Sequence, residues 1–282
     1  MKIVIVGGTS SLGRALKPTL SKFSEVITAG RTNCDITLDL SDPIEKIILP
    51  DNIDVVINTA AHFGGNSIKE ILEAENVNVL GNLKLCNAAI NAKTKEFILV
   101  SSIYSSLKEN SINYSTYSIT KKQAEDTARL YCSLHSLPLI ILKPSQLYGC
   151  EDSFRRHQPF LYDIIDKAEN NQDVVLYGSN DALRNYIHVD DLVNIIVRII
   201  HSKLVGTYTC MYTKNVTYSQ IAKAAFVAFS STGQVHFLKE KKDIPDNTFE
   251  KDNSLYDKIG YYPEVSIEDG MKKIAQYRKR QK

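Results

Sequence analysis

KIVIVGGTSSLGRAL, residues 2–16, is a short run of mostly β-branched apolar residues, a glycine turn and the start of a helix. Lys2–Val6 reads as a buried strand, because four apolar residues follow one another and glycine closes the run. Gly7 permits the tight turn, and Gly13 lets the helix lie close to the strand. The first N–H groups of a helix lack intrahelical acceptors, and the macrodipole makes that end positive. A turn of this kind holds the pyrophosphate of a dinucleotide. In the spacing G-x-x-G-x-x-G the middle glycine is here Ser10, which is small and carries a hydroxyl able to donate to a phosphate. Gly7, Ser10, Ser11, Leu12 and Gly13 are therefore the expected phosphate cradle. The competing reading is a glycine-rich strand–helix turn that binds nothing.

Outward from that turn, short apolar runs alternate with helical stretches. Helix is expected at Ser11–Lys22, Asp42–Ile48, Ile68–Ala92 (broken near Glu75) and Tyr117–Ser136. Strand is expected at Glu25–Ala29, Ile36–Leu40, Val55–Thr59, Phe97–Ser102 and Leu139–Lys143. This order implies an α/β fold of Rossmann type, a doubly wound parallel sheet, with a smaller C-terminal substrate-binding lobe. The expected dinucleotide-binding domain is residues 1–150, with 185–215 returning to it. Residues 151–184 and 216–282 form the expected lobe. Within the second half, strands are read at Tyr186–Val189 and Tyr208–Tyr212. Helices are read there at Asp191–His201, Ser219–Phe229 and Ile267–Arg278.

Composition narrows the class. The 282 residues are 43% hydrophobic, enough for a full core. Lys plus Arg is 34 and Asp plus Glu is 32, a balance that gives no reason to expect a nucleic-acid or membrane partner. The basic C-terminal run, Lys272-Lys273 and Arg278-Lys279-Arg280, reads as a solvated helix end, with a phosphate-contacting tail as the alternative. The apolar run at the N-terminus is too short for a signal peptide, and no run is long enough to span a bilayer. Cys34, Cys86, Cys132, Cys150 and Cys210 are scattered without a CxxC, so neither a disulfide framework nor a metal site is expected, and a cytoplasmic setting fits. Cys86 sits within a helical stretch and reads as core.

Two further motifs carry chemistry. A carboxylate at the end of the second strand would accept from the adenosine ribose of NAD. The sequence there is Ala29-Gly30-Arg31, and an arginine suits a 2′-phosphate, which favours NADP(H); Arg14 can add a second cation. The other reading of Arg31 is a solvated loop residue. Asp39 and Leu40 are placed to touch the adenine. The strand FILVSSIYS ends in Ser101-Ser102, and YSTYSITKK supplies Tyr117 and Lys121 one helical turn apart. A free phenol is a poor base near neutral pH, and a neighbouring ammonium lowers its pKa. A serine hydroxyl beside it can hold a substrate oxygen, so Ser102, Tyr117 and Lys121 form a proton-transfer group. Tyr114 competes, but only Tyr117 has Lys121 at this offset.

These motifs resemble the extended short-chain dehydrogenase/reductase family, in its branch of nucleotide-sugar epimerases, dehydratases and reductases. The resemblance also takes in NTAAH (Asn58–His62), NVLGN around Asn78, KPSQLYG (Lys143–Gly149) and RNYIHVDDL (Arg184–Leu192). It implies Tyr117 as catalytic acid/base, Lys121 as its partner and Ser102 as hydroxyl donor. It places Ala60, Ala61 and Pro144 to Leu147 beside the nicotinamide, His62 near substrate, and Arg184 on the pyrophosphate of a nucleotide sugar. It also implies a homodimer, with the Tyr117–Ser136 helix as a candidate interface. Ser10, Lys143 and Cys150 depart from the family's pattern. The dehydratase branch carries an Asp-Glu pair where this chain has Ile103-Tyr104. AAHFGG (Ala60–Gly65) is similar to the corresponding segment of GDP-fucose synthases, and His157 then corresponds to a second acid or else is an ordinary loop histidine. The implied activity is NADPH-dependent reduction of a nucleotide-linked 4-keto-6-deoxyhexose. The rivals are a 4-epimerase with tightly held NAD and a non-catalytic dinucleotide sensor.

Overall fold

The computed structural model describes residues 1–281. The chain divides into two compact units, Met1–Pro144 with Ile195–Cys210, and Ser145–Asn194 with Met211–Lys282.

The first unit is built on a seven-stranded sheet. Its strands are Lys2–Val6 (β1), Glu25–Gly30 (β2), Ile36–Thr37 (β3), Val55–Asn58 (β4), Glu96–Val100 (β5), Leu139–Pro144 (β6) and the late strand Gly206–Cys210. From one edge the order is the late strand, β6, β5, β4, β1, β2, β3, and every pairing is parallel. The order reverses at β1, so the C-terminal ends of β1 and β4 flank the crevice where such sheets bind ligands. Helices Ser11–Leu20 (α1), Ile68–Ala74 (α2), Gly81–Asn91 (α3) and Thr116–Leu134 (α4) supply crossovers. Val4, Val6, Val56 and Ile141 of the sheet pack with Leu85, Cys86 and Ala89 of α3 and Ala128 and Cys132 of α4. Central strands read as continuous apolar runs because both faces of a doubly wound sheet are covered.

Local chemistry moved several expected boundaries. β3 is only two residues long, because the Asp39 carboxylate accepts the Ser41 N–H at 2.9 Å and turns the chain. The expected helix 42–48 is one 3₁₀ turn, Ile44–Lys46 after Pro43. The long helix 68–92 does not break at Glu75. It continues through a π-helical turn, Glu75–Leu80, which leads directly into α3. Gly81 there lets the helix approach Leu40: a Cβ would lie 2.7 Å from the Leu40 Cβ. α4 starts at Thr116 because Ser115 caps it.

The second unit contains three two-stranded pairings. Gln146–Tyr148 pairs with Tyr186–His188, Val174–Tyr177 with Val235–Leu238, and Leu183–Arg184 with Val216–Thr217. Helices Pro159–Glu169 and Ile267–Gln281 both pack against Tyr218–Phe229. Asp191, fully buried, accepts from Tyr261 Oη, Glu264 N–H and Val265 N–H, and so fastens the C-terminal segment. The basic C-terminal run is not simply solvated. Arg278 pairs with Asp166 at 3.0 Å and Glu169 at 2.5 Å, and Lys273 with Asp190 at 3.0 Å. Among the described residues no helix is long and apolar enough to cross a membrane.

Candidate active site

The turn after β1 is locked by its own chain. Gly7 sits at φ +81, the left-handed region that favours glycine. Gly7 and Gly8 N–H both donate to Ala29 O, at 2.8 and 3.1 Å. Gly13 packs so closely that a Cβ would lie 2.4 Å from Gly7 O. Ser10 caps α1, its Oγ accepting Gly13 N–H at 2.9 Å and lying 2.9 Å from Thr59 Oγ1. Thr59 Oγ1 also lies 2.9 Å from Val6 O, to which it donates. The hydroxyl therefore stitches the turn to the end of β4. The cradle still fits a dinucleotide diphosphate. The positive end of α1 lies at the sheet's switch point, and glycine at 7 and 13 keeps side chains away from it.

At the end of β2, Arg31 is exposed and its charge acts on Asp39. Asp39 is half-buried and bonded to Ser41, while Leu40 is buried in the core against Gly81. Asp35, which the sequence reading passed over, accepts from Thr28 N–H at 2.8 Å and Thr28 Oγ1 at 2.7 Å. Those bonds hold its carboxyl down at about 2.

The loop after β4 is held by buried amides. Asn58 Oδ1 accepts Ala60 N–H at 3.1 Å, and its Nδ2 donates to Asn82 Oδ1 at 3.0 Å. Asn78, turned inward by the π-helical turn, accepts His62 N–H at 2.8 Å and donates to His62 O at 2.7 Å. It also donates to Thr120 Oγ1 on α4 at 2.9 Å. The His62 ring is engaged within this segment: Nδ1 accepts Gly64 N–H at 3.0 Å and Nε2 faces Glu73 at 3.5 Å. The structure thus gives His62 a loop-shaping role. Phe63 lies on the Tyr117 ring.

Ser102, Tyr117 and Lys121 come together at the end of β5. The hydroxyls of Ser102 and Tyr117 share a hydrogen bond, and Ser102 Oγ also accepts Tyr104 N–H at 3.2 Å. Lys121 Nζ lies 5.8 Å from the centre of the Tyr117 ring and donates to Val100 O at 3.0 Å. The expectation that the lysine pulls the phenol's pKa down is not met here. Burial pushes Tyr117 up to about 12, against the opposing bond from Ser102. Burial also pushes the Lys121 ammonium down to about 8. The phenol is therefore loaded with its proton near neutral pH, as a proton donor must be. Sequence reasoning missed Asn58, Phe63, Thr120 and the carboxylate of Glu125, which accepts from Ser101 Oγ at 2.5 Å.

Pro144 ends β6 in the first unit, while Leu147, His157 and Arg184 belong to the second. Leu147 is half-buried in strand Gln146–Tyr148. His157 follows a 3₁₀ turn, and desolvation with the nearby Arg156 charge holds its imidazole below the usual range. Arg184 is 7% exposed. Its Nε donates to Tyr218 Oη at 2.8 Å, and its Nη1 to Leu183 O at 2.7 Å and Pro245 O at 2.9 Å. The guanidinium lies 4.6 Å over the Tyr218 ring, so much of its fork is held inside its own unit.

Comparison with known proteins agrees with this geometry. The model of the NAD dependent epimerase/dehydratase family matches residues 3–209. CDP-abequose synthase of Salmonella typhimurium is 23% identical over 220 residues, 73% of each chain. GDP-L-fucose synthase of Escherichia coli is 23% identical over an alignment of 310 residues, 98% of this chain and 96% of that one. A solved UDP-glucose 4-epimerase of Thermotoga maritima shares the fold, with a TM-score of 0.80 at 19% identity over 100% of this chain and 99% of that one. With a dinucleotide cradle, a Ser–Tyr–Lys group at the sheet's carboxyl edge and a family match over most of its length, the chain belongs to the NAD dependent epimerase/dehydratase family, the extended short-chain dehydrogenases/reductases that modify nucleotide sugars with NAD(P).

Proposed function

We propose that the protein reduces a nucleotide-linked 4-keto-6-deoxyhexose with NADPH. The observation that carries this reading is Arg31, exposed directly after β2 where a carboxylate would repel a 2′-phosphate. Ile103-Tyr104, in place of an acidic pair, argues against dehydration. A phenol kept protonated by burial suits reduction, which needs a proton delivered to the carbonyl oxygen.

In this scheme the first-turn amides of α1 and Arg31 hold the dinucleotide, which supplies the hydride when bound. Tyr117 gives its proton to the sugar's carbonyl oxygen. Ser102 Oγ fixes that oxygen beside the phenol, and Lys121 orients the nicotinamide ribose. Arg184 and His157 are assigned to the nucleotide-sugar side, Arg184 as a donor to the diphosphate. The test is turnover of NADPH by the purified protein with GDP-, CDP- and dTDP-linked 4-keto-6-deoxyhexoses. Isomerisation of a nucleotide hexose without added NADPH would instead establish a 4-epimerase, the reading favoured by the fold it shares with UDP-glucose 4-epimerase. Dinucleotide binding with no turnover of either kind would favour a sensor.

We further infer that a second copy covers the face formed by α2, the π-helical turn and α4. Ile68, Leu72, Leu80, Leu130 and Leu134 on these elements are all exposed, and a second copy would take them out of water. Sedimentation of Leu130→Glu beside the wild type tests it, with a monomer expected from the variant.

A further inference from the structure

Glu125 stands one helical turn beyond Lys121 and two beyond Tyr117, on the same face of α4. It is 1% exposed. Its Oε1 accepts from Ser101 Oγ at 2.5 Å. Its Oε2 faces Arg129 Nη2 at 3.4 Å and Lys143 Nζ at 3.8 Å. Ser101 immediately precedes Ser102, whose hydroxyl meets Tyr117. Lys121 is itself only 3% exposed and leans on the Val100 carbonyl. A buried ammonium surrounded by neutral atoms sheds its proton unless a negative charge is close.

We propose that Glu125 is a positioning residue that acts as the counter-charge of Lys121 and as the anchor of the Ser101–Ser102 strand end. This rests on the catalytic reading of Ser102, Tyr117 and Lys121. One carboxylate thereby links three pieces of the site: α4 through its own backbone, the end of β5 through Ser101, and β6 through Lys143. Burial lowers the Lys121 pKa, and the Glu125 charge opposes that fall. The same pair of influences acts on Lys143.

The groups around this cluster are few. On α4 they are Tyr117, Lys121, Arg129, Lys122 and Asp126. From β6 comes Lys143, which also bonds Ser106 Oγ. From the segment after β5 come Ser101 and Tyr104, the latter acting on Tyr117. The π-helical turn and α3 contribute amides, Asn78 on Thr120 and Asn82 on the Ala124 carbonyl. Of these groups Glu125 is the one whose charge acts on Lys121, and it opposes the effect of burial.

The experiment compares wild type, Glu125→Gln, the charge-balanced double variant Glu125→Gln/Lys143→Met, and Lys121→Met. Each is assayed for pH-dependent NADPH oxidation with GDP- and CDP-linked 4-keto-6-deoxyhexoses, and for NADPH affinity by fluorescence. In Glu125→Gln the alkaline limb of the kcat profile is expected to move down by about one pH unit, with about tenfold lower kcat at pH 8.5. NADPH affinity changes by less than about threefold. The double variant recovers part of the thermal stability, because the half-buried Lys143 ammonium no longer faces an amide while Arg129 keeps its bond to Asp126, yet it keeps the displaced limb. If the double variant recovers the wild-type limb as well, or if Glu125→Gln never loses it, Glu125 is structural only. In either case an inactive Lys121→Met leaves the catalytic reading standing. Should Lys121→Met turn over like the wild type, that reading and this one both fall.

Discussion

Phe63 and Tyr117 stack nearly parallel, with ring centroids 4.7 Å apart and planes 11° apart. Phe63 belongs to the loop after β4 and Tyr117 to the first turn of α4. The phenylalanine covers one face of the phenol while remaining 45% exposed itself. It thus contributes to the burial that pushes the phenol up to about 12. Phe63→Ala should let the phenol fall back toward its usual value near 10 and cost about 0.5–1.5 kcal/mol of pair stacking. Absorbance titration of tyrosinate and a melting curve read the two effects. An unchanged alkaline titration in the variant would remove Phe63 from the account.

Tyr117→Phe keeps the ring that Phe63 covers and removes only the hydroxyl shared with Ser102. Turnover should fall roughly 10²- to 10⁴-fold, with NADPH affinity nearly unchanged. Single-turnover kinetics with saturating NADPH give the number. A variant that retains wild-type turnover contradicts the proton-donor assignment.

Arg31→Ala removes the exposed cation after β2. A charge-assisted bond to phosphate is worth about 1.5–3 kcal/mol, so NADPH should bind on the order of 10- to 100-fold more weakly. NADH affinity should barely change. Fluorescence titration with both dinucleotides decides; a wild-type protein that prefers NADH reverses the cofactor assignment.

Lys121→Met should separate activity from stability. In the folded protein burial holds Lys121 at about 8, against 10.5 for the free side chain. Between those values the unfolded chain carries the extra proton, so this group's contribution to stability rises with pH across that window. Below about 8 both states are protonated and the folded state bears the full cost of the buried ammonium, on the order of 3 kcal/mol. The variant is therefore expected to be inactive yet more stable than wild type at pH 7, with the difference shrinking toward pH 10. Denaturant unfolding at the two pH values measures it.

Asn78→Ala leaves the His62 N–H without its amide acceptor in a mostly buried place. The cost should be about 1–3 kcal/mol, with a raised KM from loosening of the Ala60–Gly65 loop. Asn78→Asp is the sharper probe. Its carboxylate still accepts the His62 N–H but cannot donate to the His62 carbonyl or to Thr120 Oγ1. Thermal melts of both variants beside the wild type test this, and equal stability in all three would show the clamp to be idle.

The first unit was readable because its signals are local. An apolar run closed by Gly7, a glycine at 13 and the four-residue offset of Tyr117 and Lys121 each mark one turn of chain. What stayed hidden depends on distant residues. Phe63 opens the crossover after β4 and Tyr117 lies in the one after β5, so they meet only because those strands are neighbours, and the Asn78 clamp requires a π turn that hydrophobic periodicity does not announce. No local signal marks Glu125, because its partners Ser101 and Lys143 come from the end of β5 and from β6. In the second unit no expectation covered the helix Pro159–Glu169, which Pro159 starts at its first helical position. Strands Val174–Tyr177 and Val235–Leu238 are short and find each other only in the folded unit.

The π-helical turn at Glu75–Leu80 also fixes how many residues the chain must have here. Each residue inserted or deleted between Ala74 and Gly81 would rotate everything after it by about 100°. Asn82 would then swing away from Asn58, and Gly81 would no longer face Leu40. A substitution along this stretch, Asn78 included, costs what that one side chain contributes, whereas a change of length displaces everything after it, which makes it a ruler rather than a linker.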